Sequence, residues 1–235
     1  MLELAALSRA FGGLKVIDRL DLNVEAGEIL GILGPNGAGK TTLFNMITGV
    51  LPPSGGRVLF EGRDITATKP WDRCRLGIGR TYQIPKPFTH MSVFENVLVA
   101  AVHGGKMSLR HAKSEAEASL HRTGLAHCAP LPAGQLALFD GKQLELAKAL
   151  ALRPRLLLLD EIAGGLTEAE CESLLATICD VHEGGVTIIW IEHVIPALRR
   201  LVTRLAVLAS GGIIAMGTPS DVLADQRVRE AYLGT

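Results

Sequence analysis

The chain has 235 residues, 24 Lys and Arg against 24 Asp and Glu, and 48% hydrophobic residues. That length can bury about 70% of the unfolded surface in a sizeable core, and the cancelling charges exclude an electrostatic footprint for nucleic acid or anionic lipid. Cys74, Cys128, Cys171 and Cys179 stand apart without C-x-x-C spacing and read as buried reduced thiols of a cytosolic protein.

The N-terminal stretch MLELAALSRAFGG lacks the basic start and apolar core of a signal peptide. Further on, "VEAGEILGILGPNGAGKTTLFNMITG" predicts a buried strand near Glu28 to Leu33, a glycine loop, and a helix from about Lys40 to Ile47 ended by Gly49. "RVLFEG" after "PPSGG" alternates as a strand leaving a turn, so the first third carries some antiparallel sheet. From Val93 to about Leu152 the pattern is helical. The organisation expected is one domain: an α/β core from 1–92 and 153–235, with a helical lobe, 93–152, inserted in it. "LLLLDE" and "GVTIIWIEH" are short and continuously apolar, as strands covered on both faces should be. Between them Thr167 and Glu170 form a capping box opening a helix to about His182. "LAVLASGGIIAMG" reads as two strands around a Gly-Gly turn, and "TPSDVL" starts a helix with Thr218 as cap and Pro219 at its first position. The uncharged runs Thr123 to Phe139 and Leu205 to Ser220, 17 and 16 residues broken by Pro and Gly, are short of the roughly 18 apolar residues a membrane helix needs. A soluble protein is expected, touching a membrane only through a partner.

"GPNGAGKT", Gly34 to Thr41, fits G-x-x-x-x-G-K-[ST] between a strand and a helix, the context that gives this motif its meaning. Glycines turn backbone N–H groups inward on a triphosphate, and the helix N-terminus adds partial positive charge. Gly34, Pro35, Asn36, Gly37, Ala38, Gly39, Lys40, Thr41 and Thr42 are thus the candidate ATP residues, with Lys40 on the β- and γ-phosphates and the Thr41 hydroxyl on Mg²⁺. Asp160, ending a buried strand, is placed to hold the Mg²⁺ shell, and Glu161 to polarise the attacking water. Such a pair looks the same as a helix-capping carboxylate; the upstream glycine loop favours the catalytic reading.

In order and spacing, these motifs resemble the ATP-binding cassette (ABC) family over almost the whole chain. The resemblance implies a P-loop NTPase core with an antiparallel β portion and a helical lobe, Mg²⁺-dependent ATP hydrolysis, and a dimer with each ATP between two chains. Phe11 in "SRAFGGLKVID" matches the aromatic that stacks on adenine, although an isolated Phe more often serves a core. Gln83 in "GRTYQIPKPF" matches the glutamine that reaches Mg²⁺ and the water and couples to membrane helices; His193 in "WIEHVI" matches the histidine at the γ-phosphate. Outside that match, both are ordinary polar residues. "GPNGAGKTTLFNMITGVLPPSGGRVLFEG", "GIGRTYQ", "FENVLVAA" and the closing "AYLG" look like the ATPases of branched-chain amino-acid and related amide importers. Such subunits sit peripherally on the cytoplasmic face of the membrane, joined to permease subunits and served indirectly by a solute-binding protein. No nucleic acid partner is expected.

One loop departs. In "LALFDGKQLELAKALA", residues 136 to 151, the family's Leu-Ser-Gly-Gly-Gln loop, aimed at the partner chain's γ-phosphate, aligns with Ala137 at the serine, Leu138 and Phe139 at the glycines and Asp140 at the glutamine. Sliding by two needs a deletion and puts Phe139 at the serine. Neither register restores a hydroxyl; Lys142 or the Gly141 N–H is the alternative donor. Because this loop serves the other chain's ATP, an asymmetric heterodimer with one complete site is expected. Thr167 stands where the family often has Asp, and Ile162 where it has Pro, for which no physical account is found. Two other classes stay open: a low-turnover nucleotide switch subunit, and a non-transport cassette ATPase, which predicts insertions or basic patches.

Overall fold

The computed structural model describes residues 1–233. The chain divides into two compact units, Met1–Arg73 with Thr187 onward, and Cys74–Val186. In chain order the first segment holds β1 (Leu2–Phe11), β2 (Leu14–Val24), β3 (Ile29–Leu33), α1 (Lys40–Ile47), β4 (Gly55–Phe60), β5 (Arg63–Asp64) and α2 (Pro70–Arg75). The second unit holds β6 (Ile78–Arg80), α3 (Val93–Val99), a π turn, α4 (Leu109–Arg122), two 3₁₀ turns, α5 (Leu138–Leu150), β7 (Leu156–Asp160) and α6 (Glu168–Glu183). The chain returns to the first unit with β8 (Thr187–Ile191), α7 (Ile195–Leu201), β9 (Arg204–Ala209), β10 (Gly212–Gly217), α8 (Pro219–Ala224) and α9 (Gln226–Leu233). Gly234, the last residue of the "AYLG" phrase, lies outside the described residues.

The first unit contains two sheet layers. In one, antiparallel strands run in the order β2-β1-β4-β5, with Leu2 opposite Val24 and Phe60, and Leu4 opposite Leu22 and Val58. Period-two alternation buries these leucines on one face while Glu3 and Asp21 stay on the other. Irregularities interrupt that register. Ala6 and Arg19 have left-handed backbones, φ 47 and 46, and the Ala6 N–H finds its acceptor on Asp21 Oδ1 at 2.7 Å. The other layer runs β10-β9-β3-β8. Its central strand β3, every residue buried, pairs in parallel with both β8 and β9, as a strand covered on both faces must. The β9–β10 hairpin corrects the Gly-Gly expectation: Gly212 pairs with Ala209, so the turn is Ser210–Gly211, both left-handed at φ 49 and 82, as two-residue hairpin turns favour.

In the second unit β6 and β7 pair in parallel, Ile78 opposite Leu156 and Arg80 opposite Leu158. Its helices close around Val93, Val97, Ala112, Ala116, Leu120 and Leu144. Small alanines on α4 and α5 let those helices approach closely. Capping is explicit: Ser92 with Glu95 opens α3, and Thr167 with Glu170 opens α6, each pair exchanging both bonds of the capping box. Thr218 caps α8 ahead of Pro219.

Candidate functional site

The first unit carries the glycine loop. After β3 the chain turns through Gly34–Gly39 into α1. A Cβ on Gly34 would lie 2.2 Å from the Leu208 carbonyl oxygen, so only glycine lets the loop press against β9. Gly37 and Gly39 are left-handed at φ 80 and 99, conformations glycine adopts without steric cost. The Ala38 N–H closes the turn on the Pro35 carbonyl at 3.2 Å, with Asn36 exposed at the tip. Lys40, buried as the first residue of α1, donates from Nζ to the carbonyls of Gly34 at 2.6 Å and Pro35 at 3.2 Å. Thr41 is exposed and Thr42 half-buried in the first turn. That turn contains no acidic residue and its cap, Gly39, offers no side chain, so the positive end of the helix dipole is available to an anion.

The far end of α1 is held by a residue the sequence did not flag. Arg73, 1% exposed, donates to the Met46 and Ile47 carbonyls at 2.7 and 2.8 Å and to those of Thr66 and Thr68 at 2.8 and 3.0 Å. Burial pushes its pKa down to about 10, still charged at neutral pH. Phe11, ending β1, is 47% exposed, with the Arg9 guanidinium 4.7 Å from its ring centre. His193 follows β8, exposed, its Nδ1 3.3 Å from the buried Glu192 carboxylate.

The second unit gathers the acidic candidates. Asp160 ends β7, and its Oδ2 lies 2.8 Å from Arg80 Nη2, both side chains 6% exposed. Its N–H donates to Thr81 Oγ1 at 3.2 Å. Glu161 follows in a left-handed backbone, φ 47, and accepts from Gln83 Nε2 at 2.6 Å. The structure thus joins Gln83 to Glu161, a pairing that their distance in sequence did not announce. Arg80 was also missed; the only signal was a lone arginine ending the apolar run in "LGIGR".

The departing loop starts α5. Ala137 sits at the N-cap with extended backbone, φ −65 and ψ 167, and no side-chain cap, although Ser, Thr, Asp or Asn is favoured there. Leu138 is 54% exposed, Phe139 half-buried, and Asp140 lies in the first turn. Both donors considered as stand-ins for a serine are engaged inside the unit. The Gly141 N–H bonds the Ala137 carbonyl at 2.9 Å. Lys142, 4% exposed, donates to the Ile162 carbonyl at 3.0 Å and to that of Gly164.

Known proteins resemble this chain in sequence and in fold. Residues 17–164 match the family model described as ABC transporter, and residues 213–235 the one described as branched-chain amino acid ATP-binding cassette transporter. The chain is 36% identical to a probable branched-chain amino acid transport ATP-binding protein LivG of Archaeoglobus fulgidus, covering 100% of this chain and 95% of that one. It is 34% identical to the high-affinity branched-chain amino acid transport ATP-binding proteins BraF of Pseudomonas aeruginosa and LivG of Escherichia coli, covering 100% of this chain and 98% of each. Among solved structures, a nucleotide-free ATP-binding cassette from an ABC transporter superposes with a TM-score of 0.91 at 30% identity, covering 100% of this chain and 99% of that one. A structure described as the ADP conformation of MJ1267, an ATP-binding cassette of an ABC transporter, gives 0.90 at 31%, with the same coverage.

Proposed function

This chain belongs to the ATP-binding cassette transporter family, with that family's P-loop ATPase fold and activity, and from that premise we propose that it powers an importer of branched-chain amino acids or related amino acids and amides. The observation that carries the solute class is identity running the full length of proteins named for that transport, with a second family match at residues 213–235.

In this reading Phe11 stacks on adenine. Backbone N–H groups from Gly34 to Thr42 and the start of α1 hold the phosphates, and Lys40 exchanges the Gly34 and Pro35 carbonyls for β- and γ-phosphate oxygens. Thr41, Gln83 and Asp160 offer a hydroxyl, an amide and a carboxylate, the hard oxygen donors that Mg²⁺ prefers. Bound there, Mg²⁺ neutralises charge developing on the phosphates. Glu161 takes the proton of the attacking water, Gln83 orients that water, and His193 meets the γ-phosphate. Among the described residues no helix is long and apolar enough to cross a membrane. Attachment to the cytoplasmic face then runs through permease subunits, with the helical lobe 93–152 and the exposed Ile84 and Phe88 beside Gln83 as the docking region. A solute-binding protein outside the membrane delivers the cargo.

The uncapped Ala137 and the engaged Gly141 and Lys142 favour an asymmetric pair, in which a second cassette subunit with an intact loop completes this chain's ATP site. Loss of one transition-state donor costs about 10²–10³ in rate.

Two measurements test the proposal. Proteoliposomes holding the complete transporter and its binding protein should take up leucine when MgATP is enclosed on the cassette side, and Glu161→Gln should abolish uptake and hydrolysis while ATP still binds. Absence of ATP-driven uptake of any branched-chain amino acid, related amino acid or amide overturns the solute class, and turnover surviving in Glu161→Gln overturns the role of Glu161. For the asymmetric pair, hydrolysis by the purified chain should stay negligible at rising protein concentration until a second cassette subunit is added; a rate that climbs with this chain's concentration alone defeats it.

A further inference from the structure

Helix α5 begins at the departing loop, yet its buried polar side chains face the interior of its own unit. Lys142 holds two backbone carbonyls, Ile162 at 3.0 Å and Gly164, in the segment that directly follows Glu161. One turn along, Glu145, 2% exposed, accepts the Lys86 N–H at 2.9 Å. Lys148, one turn further, donates to the Lys86 carbonyl at 3.1 Å and to Glu145 at 2.6 Å. Lys86 lies three residues after Gln83. The positions 142, 145 and 148 follow at i, i+3 and i+6, along one flank of the helix. Packing repeats the pattern: Leu138 Cδ2 lies 3.7 Å from where a Cβ on Gly165 would stand, and Pro85 Cγ 3.4 Å from where one on Gly141 would stand.

The two segments tied to α5 carry the two groups that meet at 2.6 Å, Gln83 and Glu161. Glu161 sits in a left-handed backbone, a conformation that persists only where neighbouring contacts over-determine it. A cation buried at the next residues' carbonyls is such a contact.

We propose that Lys142 is a positioning residue for ATP hydrolysis: its buried ammonium, with the Glu145–Lys148 pair beside it, holds the Glu161 and Gln83 segments on one helix so that the carboxylate and amide keep their mutual geometry. The inference rests on the assignment of Glu161 as the group that takes the water's proton. Lys142, 4% exposed and held on the Ile162 and Gly164 carbonyls, acts through those segments. Removing it loosens the segment that aims Glu161, and displacements of about 1 Å at reacting groups cost on the order of 10²-fold in rate.

The test uses the full chain assembled in its hydrolysing transporter, with MgATP as substrate. Lys142→Met keeps most of the side chain's apolar length and removes the donors; kcat should fall on the order of 10²-fold with KM for ATP unchanged. Lys142→Arg, which restores donors to the same carbonyls, should recover most of that loss. Lys148→Met, at a partly exposed position, should lower kcat in the same sense by releasing the Lys86 carbonyl, and it carries the test if Lys142→Met does not assemble. A kcat within twofold of wild type in Lys142→Met, or in Lys148→Met where that variant carries the test, overturns the proposal. So does a loss shared equally by kcat, KM and melting temperature that arginine fails to rescue, since that describes damage to the fold. Glu161→Gln runs alongside: if it keeps turnover, the assignment of Glu161 falls and this inference with it, whereas a dead Glu161→Gln beside a fully active Lys142→Met defeats the positioning role alone.

Discussion

Replacing Gly34 by alanine sets a single methyl group against the backbone of β9. The new Cβ would stand 2.2 Å from the Leu208 carbonyl oxygen and 3.3 Å from Ala38 Cβ, so the first contact is more than 1 Å inside the 3.5–4.0 Å optimum for non-bonded atoms. Leu208 is a paired residue inside β9 and cannot swing aside as a side chain tip would. The glycine loop must therefore move by about 1 Å, carrying with it the N–H groups proposed to hold the phosphates and disturbing the Gly34 carbonyl that accepts from Lys40. Overpacking of this kind costs about 1–3 kcal/mol in stability, and a similar displacement of phosphate-binding groups should weaken ATP binding at least tenfold. Titration with a fluorescent ATP analogue, read beside a thermal melt, measures both. Gly13→Ala is the control, because nothing lies within 4 Å of its added Cβ and its φ is not left-handed; it should stay within about 0.5 kcal/mol of wild type. If Gly34→Ala binds nucleotide as tightly as wild type and melts with it, the loop does not press on β9 as described.

Arg73→Met leaves four backbone carbonyls at the end of α1 and in the 66–68 turn without their charged donor. A loss of about 2–4 kcal/mol is expected, seen as a fall of roughly 4–16 °C in Tm for a domain of this size. Ala137→Ser supplies the missing cap of α5 and should add about 1 kcal/mol, a Tm rise of about 2–4 °C. On the asymmetric-pair reading it should also raise hydrolysis by the chain alone, measured at saturating MgATP. Thr167→Ala should cost about 1 kcal/mol by removing the cap of α6. Hydrogen bonds from the Thr167 backbone and hydroxyl hold the Glu170 carboxyl below its ordinary range. Its contribution is therefore complete above the unfolded pKa and lost as pH falls through the folded one, so acid melts of Glu170→Gln should lack that part of the decline.

Much of the α/β frame was legible because local and tertiary demands coincide there. "ILGIL" and "LLLLD" are uniformly apolar and become strands buried throughout, and Thr167, Thr218 and Gly49 sit where capping chemistry puts them. The first two strands were not read, since the left-handed residues Ala6 and Arg19 break the alternation that would have announced them. The β9–β10 turn slipped by one residue because "SGG" offers two turn pairs and only the ladder chooses between them. Within the site, the glycine loop could be read because its chemistry is contiguous. Arg73 and Glu145 could not, and Lys142 was legible only as a stand-in donor for the serine: each is buried on backbone groups 20 to 59 residues away or on several turns at once. Long-range partners leave no mark in a local window.

The left-handed backbone of Glu161 has an evolutionary reading. A residue with a Cβ pays roughly 1–2 kcal/mol to hold that conformation, while glycine holds it without penalty. At position 161, then, folding alone would select glycine or asparagine, and on the role proposed for Glu161 a carboxylate persists there under selection for turnover. Descendants of this gene released from that selection should drift there first, becoming more stable proteins as they cease to be motors.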